Sequence, residues 1–145
     1  KNGIEKTKRK FSDLDLVASV PILLLDNDND DRRKEIGRSL AIRLLLEGKT
    51  LKDLGWEEEI PQQILQSQMI IDESVSKKLE EEADKIPSEV SEQIAAIGNA
   101  SQIIEILEKY KKFGATNFLI KFLGKVSEDD FKKFDSKIIQ VMNNT

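Results

Sequence analysis

The sequence predicts an α/β fold with parallel strands. A strand-like apolar run at residues 14–25 is followed by an acidic turn and an amphipathic helix. A second strand-like run at residues 117–122 lies between two more amphipathic helices. Strands separated by whole helices need crossover connections, and these pair strands in parallel.

Residues 1–12 read as a polar arm in which Lys6, Lys8, Arg9 and Lys10 stand close together. In the first strand Leu14, Leu16, Ala18 and Val20 alternate with other residues, and Ile22 to Leu25 are all apolar. Pro21 carries no N–H for a ladder, so a bulge or strand end is expected near it. The acidic residues from Asp26 to Asp31 precede a helix, where its dipole favours them. Ile36, Leu40 and Leu44, with Ala41 and Leu45 beside them, form the buried stripe of that helix, and Gly48 is its stop signal. Residues 13–48 thus make a strand–helix unit.

Residues 49–97 read as a helical insertion. Leu51, Leu54 and Trp56 suggest one short turn, and Pro61 suits the first position of another. Val75, Leu79, Ala83 and Ile86 recur at helical spacing. Pro87 restarts the chain, and Val90, Ile94 and Ile97 lead up to Gly98.

Residues 98–145 read as helix–strand–helix. Asn99 and Gln102 have capping-box spacing. Ile103, Leu107, Tyr110 and Phe113 are the expected buried stripe, and Gly114 the stop. After the strand, Ser127 caps a last helix that places Phe131, Phe134, Ile138 and Val141 on one face. The whole chain, 1–145, reads as a single domain.

Composition narrows the function classes. The chain has 145 residues and a net charge of −4, with no cysteine and no histidine. The charge argues against nucleic acid as a partner, because phosphate binding needs a dense positive face. Disulfides, thiolate metal sites and every histidine-dependent triad are excluded. No apolar run is long enough to span a bilayer. The expected localisation is the cytoplasm. The chain opens on Lys1 rather than Met, so the expectation is that something precedes it or that it was trimmed.

Several short patterns are candidates for sites. Asp26, Asp28 and Asp30 imitate the opening of a calcium loop, but Asp31 and Gly37 stand where that loop needs Gly and Glu, so the run reads as a helix-capping turn and no metal is expected. The Gly98–Asn99 turn places backbone N–H groups at a helix start, a point that can hold a phosphate or carboxylate. Lys121 is a charge inside an apolar strand, which either points into a site or snorkels at a strand end. No phosphate-binding glycine loop is present. The sequons at Asn99 and Asn143 read as chance matches.

The segment IPSEVSEQIAAIGNASQIIEILEKYKKFGATNFLIKFLG resembles the end of luciferase-like (β/α)8 barrels, which include flavin-dependent monooxygenases and methylenetetrahydromethanopterin reductases. Its matching features are Pro87, Glu89, the run 94–97, Gly98, the helix from Ala100, the Gly114–Ala115 turn and the strand 118–122. Upstream, LDLVASVPILLLDNDNDDRRKEIGRSLAIRLL is similar to the family's penultimate strand, acidic turn and helix. The chain departs from the pattern where Asn99 stands for the common Thr, and Ala100–Ser101 for Pro-Glu.

The resemblance implies the C-terminal portion of a TIM-type barrel, with a helical insertion between its last two strands. It implies an oxidoreductase transferring hydride with deazaflavin coenzyme F-420 or FMN, inactive as an isolated chain because most site residues lie on earlier strands. Within this chain it points to the carboxyl ends of the strands, and so to Gly98, Asn99, Lys121 and Gly124 as cofactor contacts. No catalytic residue carries over. The expected partners are a second copy of the chain or a separate N-terminal half-barrel, with no nucleic acid and no membrane. The alternative is a non-catalytic binding or assembly module of the same fold.

Overall fold

The structure of the chain is a computed structural model that describes residues 10, 13–26, 31–66 and 72–144. The first strand, β1 (Val17–Leu24), runs through Pro21 without a bulge. It is followed by α1 (Asp31–Glu47), α2 (Lys49–Asp53), α3 (Gln62–Gln66), α4 (Glu73–Ala83) and α5 (Ser88–Ser91). A short 3-10 turn, Glu92–Ile94, leads into β2 (Ala96–Gly98). Then come α6 (Ala100–Lys112), β3 (Asn117–Phe122), α7 (Glu128–Phe134), a π turn Asp135–Ile139 and α8 (Gln140–Asn143).

The strands form one parallel sheet in the order β2-β1-β3. The pairing of the two long strands agrees with expectation: Val17 to Ile22 face Asn117 to Phe122 in continuous register. The third strand was not expected. The insertion ends at Ala95, and Ala96, Ile97 and Gly98 pair with Ile22, Leu23 and Leu24. Three residues are too few to show a strand period, so only the tertiary pairing defines β2.

Pro21 fits a central strand because of where pairing begins. The carbonyl of Ile22 accepts from Leu123 N on the β3 side, whereas Leu25 N donates to the Gly98 carbonyl on the β2 side. Pro21 has the parity of Leu25, so its missing N–H faces β2, whose pairing starts one residue later. The predicted interruption is therefore absorbed with no ladder bond lost.

Side chains alternate along β1, and each face meets different helices. Val20, Ile22 and Leu24 are buried with Ile103 and Leu107 of α6 and with Phe134 and Ile138 of the last helical segment. Leu23 and Leu25 are buried with Ile36 and Leu40 of α1. The helical insertion builds its own core on the other end of α1, around Leu44, Leu51, Ile64 and Leu79. Gly48, at φ +44, stops α1 and gives its N–H to the Leu44 carbonyl at 2.9 Å. Asp72 caps α4 through Val75 N.

Two predicted stripes are shorter than expected. In α6 only Ile103 and Leu107 are buried, while Tyr110 and Phe113 are exposed, Phe113 at 87%. The helix outruns the sheet it packs on. In the last segment Phe134 and Ile138 are buried, but Phe131 and Val141 are exposed. The π turn adds a residue to one turn, so the stripe passes to Ile139 and Met142 instead of Val141. Phe131 still touches the core edge-on, with its ring centroid 4.9 Å from that of Phe122.

Among the described residues nothing covers the odd-numbered face of the sheet toward its amino end. α1 covers the odd-numbered face only near its carboxyl end. Toward the amino end Val17 is 62% and Leu119 53% exposed. Among the described residues β3 has one neighbour and is an edge strand.

Candidate functional site

Parallel strands end together, so their carboxyl edge collects the loops and helix starts that follow them. Here that edge carries Leu25–Asp26 after β1, Gly98–Asn99 after β2 and Leu123–Gly124 after β3. Beside β1 and β3 lies a cleft of about 280 Å³ lined by Leu23, Arg32, Glu35, Ile36, Leu123, Gly124 and Lys125. Gly124 has φ +75, and a Cβ there would stand 3.2 Å from Ile36 Cδ1, so glycine keeps this passage open.

Charged groups tie the rim together. Arg32 Nη2 donates to the Leu24 carbonyl at 3.3 Å, and its Nη1 lies 3.5 Å from Asp130 Oδ1. Lys133 Nζ lies 2.9 Å from Asp26 Oδ2 and 3.0 Å from Asp129 Oδ2. Ser127 and Asp130 form the reciprocal cap of α7. The backbone N–H of Ser127, followed by its hydroxyl, holds the Asp130 carboxyl below the usual carboxylate range. The hydrogen bond and charge of Lys133 do the same for Asp26, and Asp26 and Asp129 in turn hold the Lys133 ammonium above the usual lysine range.

These shifts have opposite signs and different windows. The carboxylates contribute stability above their ordinary range and lose it as pH falls through their lowered folded values. Lys133 contributes below the ordinary lysine range and loses it as pH rises through its raised value. Removing the lysine charge in Lys133→Met should therefore lower the melting temperature at neutral pH and leave it unchanged in strong acid. The effect should be small, because the pair is screened by solvent. Melting curves of both proteins from strongly acid to neutral pH check this; an equal difference at every pH would show that Lys133 acts only through packing.

Of the four expected contacts, Gly98, Asn99 and Gly124 lie at the carboxyl edge. Gly98 and Gly124 flank β1 from opposite sides. The Gly98–Asn99 turn is already satisfied by its own helix: Asn99 N donates to Gln102 Oε1 at 2.9 Å, and Asn99 Oδ1 accepts from Gln102 N at 3.1 Å. An anion at this amide would have to displace the Gln102 side chain. Lys121 is exposed within β3, opposite Pro21, and stands on the open half of the sheet.

Sequence reasoning missed Arg32, Lys125, Asp130 and Lys133. Ser127-x-x-Asp130 was a readable signal, since Asp at the third helical position completes a cap. The acidic turn offered as a capping run lies mostly in residues 27–30, outside the described residues, as do most of the polar arm and Thr145 of the second sequon. Among the described residues no group of three or more acidic side chains could hold a metal ion. No described helix is long and apolar enough to cross a membrane. No family model, curated protein or solved structure matches this chain.

Proposed function

We propose that the chain is the C-terminal part of a luciferase-like (β/α)-barrel oxidoreductase that transfers hydride with deazaflavin coenzyme F-420 or FMN. The observation that carries this reading is the parallel pairing of β1 with β3, whose carboxyl ends border the cleft at Leu23, Arg32 and Gly124. A barrel places its chemistry at that edge, and the cofactor supplies the redox step. In this reading Arg32 and Lys125 suit the anionic part of such a cofactor, and Gly98, Asn99 and Lys121 are nearer or farther contacts. The described residues hold three strands, and eight close a barrel, so in this reading the chain is inactive alone.

The open edge of β3 and the exposed Val17 and Leu119 support a partner, either a second copy or a separate half-barrel. A second reading is a non-catalytic binding or assembly module derived from the same fold, which the open β3 edge supports equally. The order β2-β1-β3 and the helices on both faces count against a barrel under either reading, since a barrel takes its strands in chain order and carries its helices outside only.

Two measurements separate the readings. FMN and F-420 are titrated in turn into the purified chain, following quenching of cofactor fluorescence. Saturable quenching by one of them, weakened in Arg32→Ala, is the expected result. No quenching by either, even with the associated form of the chain, would overturn the oxidoreductase reading. Sedimentation at micromolar concentration is expected to show association; a compact monomer would mean that the helices close the core alone and would move the second reading ahead.

A further inference from the structure

A second cleft lies between α1 and the turn from α4 into α5. Its volume is about 300 Å³, at the lower end of small-molecule pockets. Its floor is Gly37 and Ala41 of α1, with Ala83 and Ile86 across from them.

Gly37 is the unusual residue. It sits within a seventeen-residue helix, where glycine is the poorest choice after proline. Glycine at such a place normally marks a close approach by another element. Here its backbone is buried, yet a Cβ built on it would meet nothing within 4 Å. No protein atom requires the missing side chain. What it leaves is room in the cleft.

The rim supplies charge. Arg33, Lys34 and Arg38 line the cleft on one side, Asp84 and Glu92 on the other. Arg33 Nε and Nη2 reach the two Glu92 oxygens at 2.9 and 2.7 Å. Arg38 Nε lies 3.0 Å from Asp84 Oδ1, and Glu80 approaches Arg38 from outside at 3.5 Å. These pairs fix the walls and neutralise both lining carboxylates. Lys34 has no ion-pair partner among the described residues. Among the described residues the cleft therefore joins an apolar floor to one exposed cation without an ion-pair partner, and Ser91, 1% exposed, is part of its lining with its hydroxyl donated to the Ser88 carbonyl.

We propose that this cleft binds a small organic oxyanion, a carboxylate or phosphate carried on a short apolar body. The head group meets Lys34, and the body lies over Gly37 and Ala41 against Ala83 and Ile86. A bare inorganic anion would leave the apolar floor unused, and an organic cation would be repelled by Lys34. This site is independent of the redox reading and stands or falls without it.

The test is a titration of the isotope-labelled chain with hexanoate, hexyl phosphate, inorganic phosphate and hexylammonium, followed at the backbone amides. Hexanoate or hexyl phosphate, or both, should shift the Gly37 amide saturably, and the stronger of the two identifies the head group. Hexylammonium should not shift it. Gly37→Ala should raise the melting temperature by roughly 2–6 °C, as removing an unneeded helix glycine does, and should abolish the shifts at Ala83 and Ser91. Lys34→Gln should weaken binding about tenfold. The proposal is overturned if neither organic anion shifts Gly37, if hexylammonium shifts it equally, or if Gly37→Ala still binds. A lower melting temperature for Gly37→Ala would also overturn it, because that would give Gly37 a packing role.

Discussion

Replacing Gly98 by alanine should destabilise the chain by about 2–4 kcal/mol, the sum of backbone strain and a lost helix cap. Gly98 has φ +150, a conformation that L side chains rarely adopt. A Cβ there would also collide with the Gln102 side chain, which is committed to the Asn99 amide. Denaturant midpoints at unchanged m-value would measure the loss. Adding Gln102→Ala removes the collision with the distal Gln102 side chain, though not with its Cβ, and leaves the strain, so the double variant should be less than additive. A Gly98→Ala protein as stable as the parent would mean that β2 and the start of α6 are arranged differently.

Ile22→Ala is expected to cost about 3–4 kcal/mol, a large share of a typical 5–15 kcal/mol. Ile22 has no exposure, and it is the one β1 residue paired with both neighbours, to Ala96 and to Phe122. Its side chain lies in the cluster that holds α6 and the last helical segment on the sheet. The useful contrast is Leu119→Ala on the open face, which should stay within about 0.5 kcal/mol in the dilute chain. A loss at Leu119 as large as at Ile22, growing with protein concentration, would show that a second copy covers that face.

Local chemistry was legible wherever one residue decides the geometry. Asn99 and Gln102, Ser127, Gly48 and Gly114 marked element ends, and the structure places ends there. The two long strands were legible from their apolar runs. What failed depends on distant parts of the chain. β2 has no period of its own, Tyr110 and Phe113 follow the helical spacing past the limit of the sheet, and the π turn shifts a stripe that regular spacing would send through Val141. The carboxyl edge was legible as a place, but its cations, Arg32 in the first turn of α1, Lys125 in a loop and Lys133 at the end of α7, look in sequence like any other surface charges.

The register of the sheet also orders the events of folding. Every residue of β1 paired with β3 finds its partner 100 positions later, and those paired with β2 find theirs 74 positions later. Closing loops of that length costs entropy before any contact returns it, and such topologies fold slowly. The insertion core between α1 and α4 joins nearer neighbours and can collapse first. During synthesis Val17 to Pro21 must wait for β3, while Ile22 to Leu24 can pair once Gly98 has emerged. Between the emergence of Ile86 and that of β2, the chain can hold a small helical core preceded by an unmatched strand.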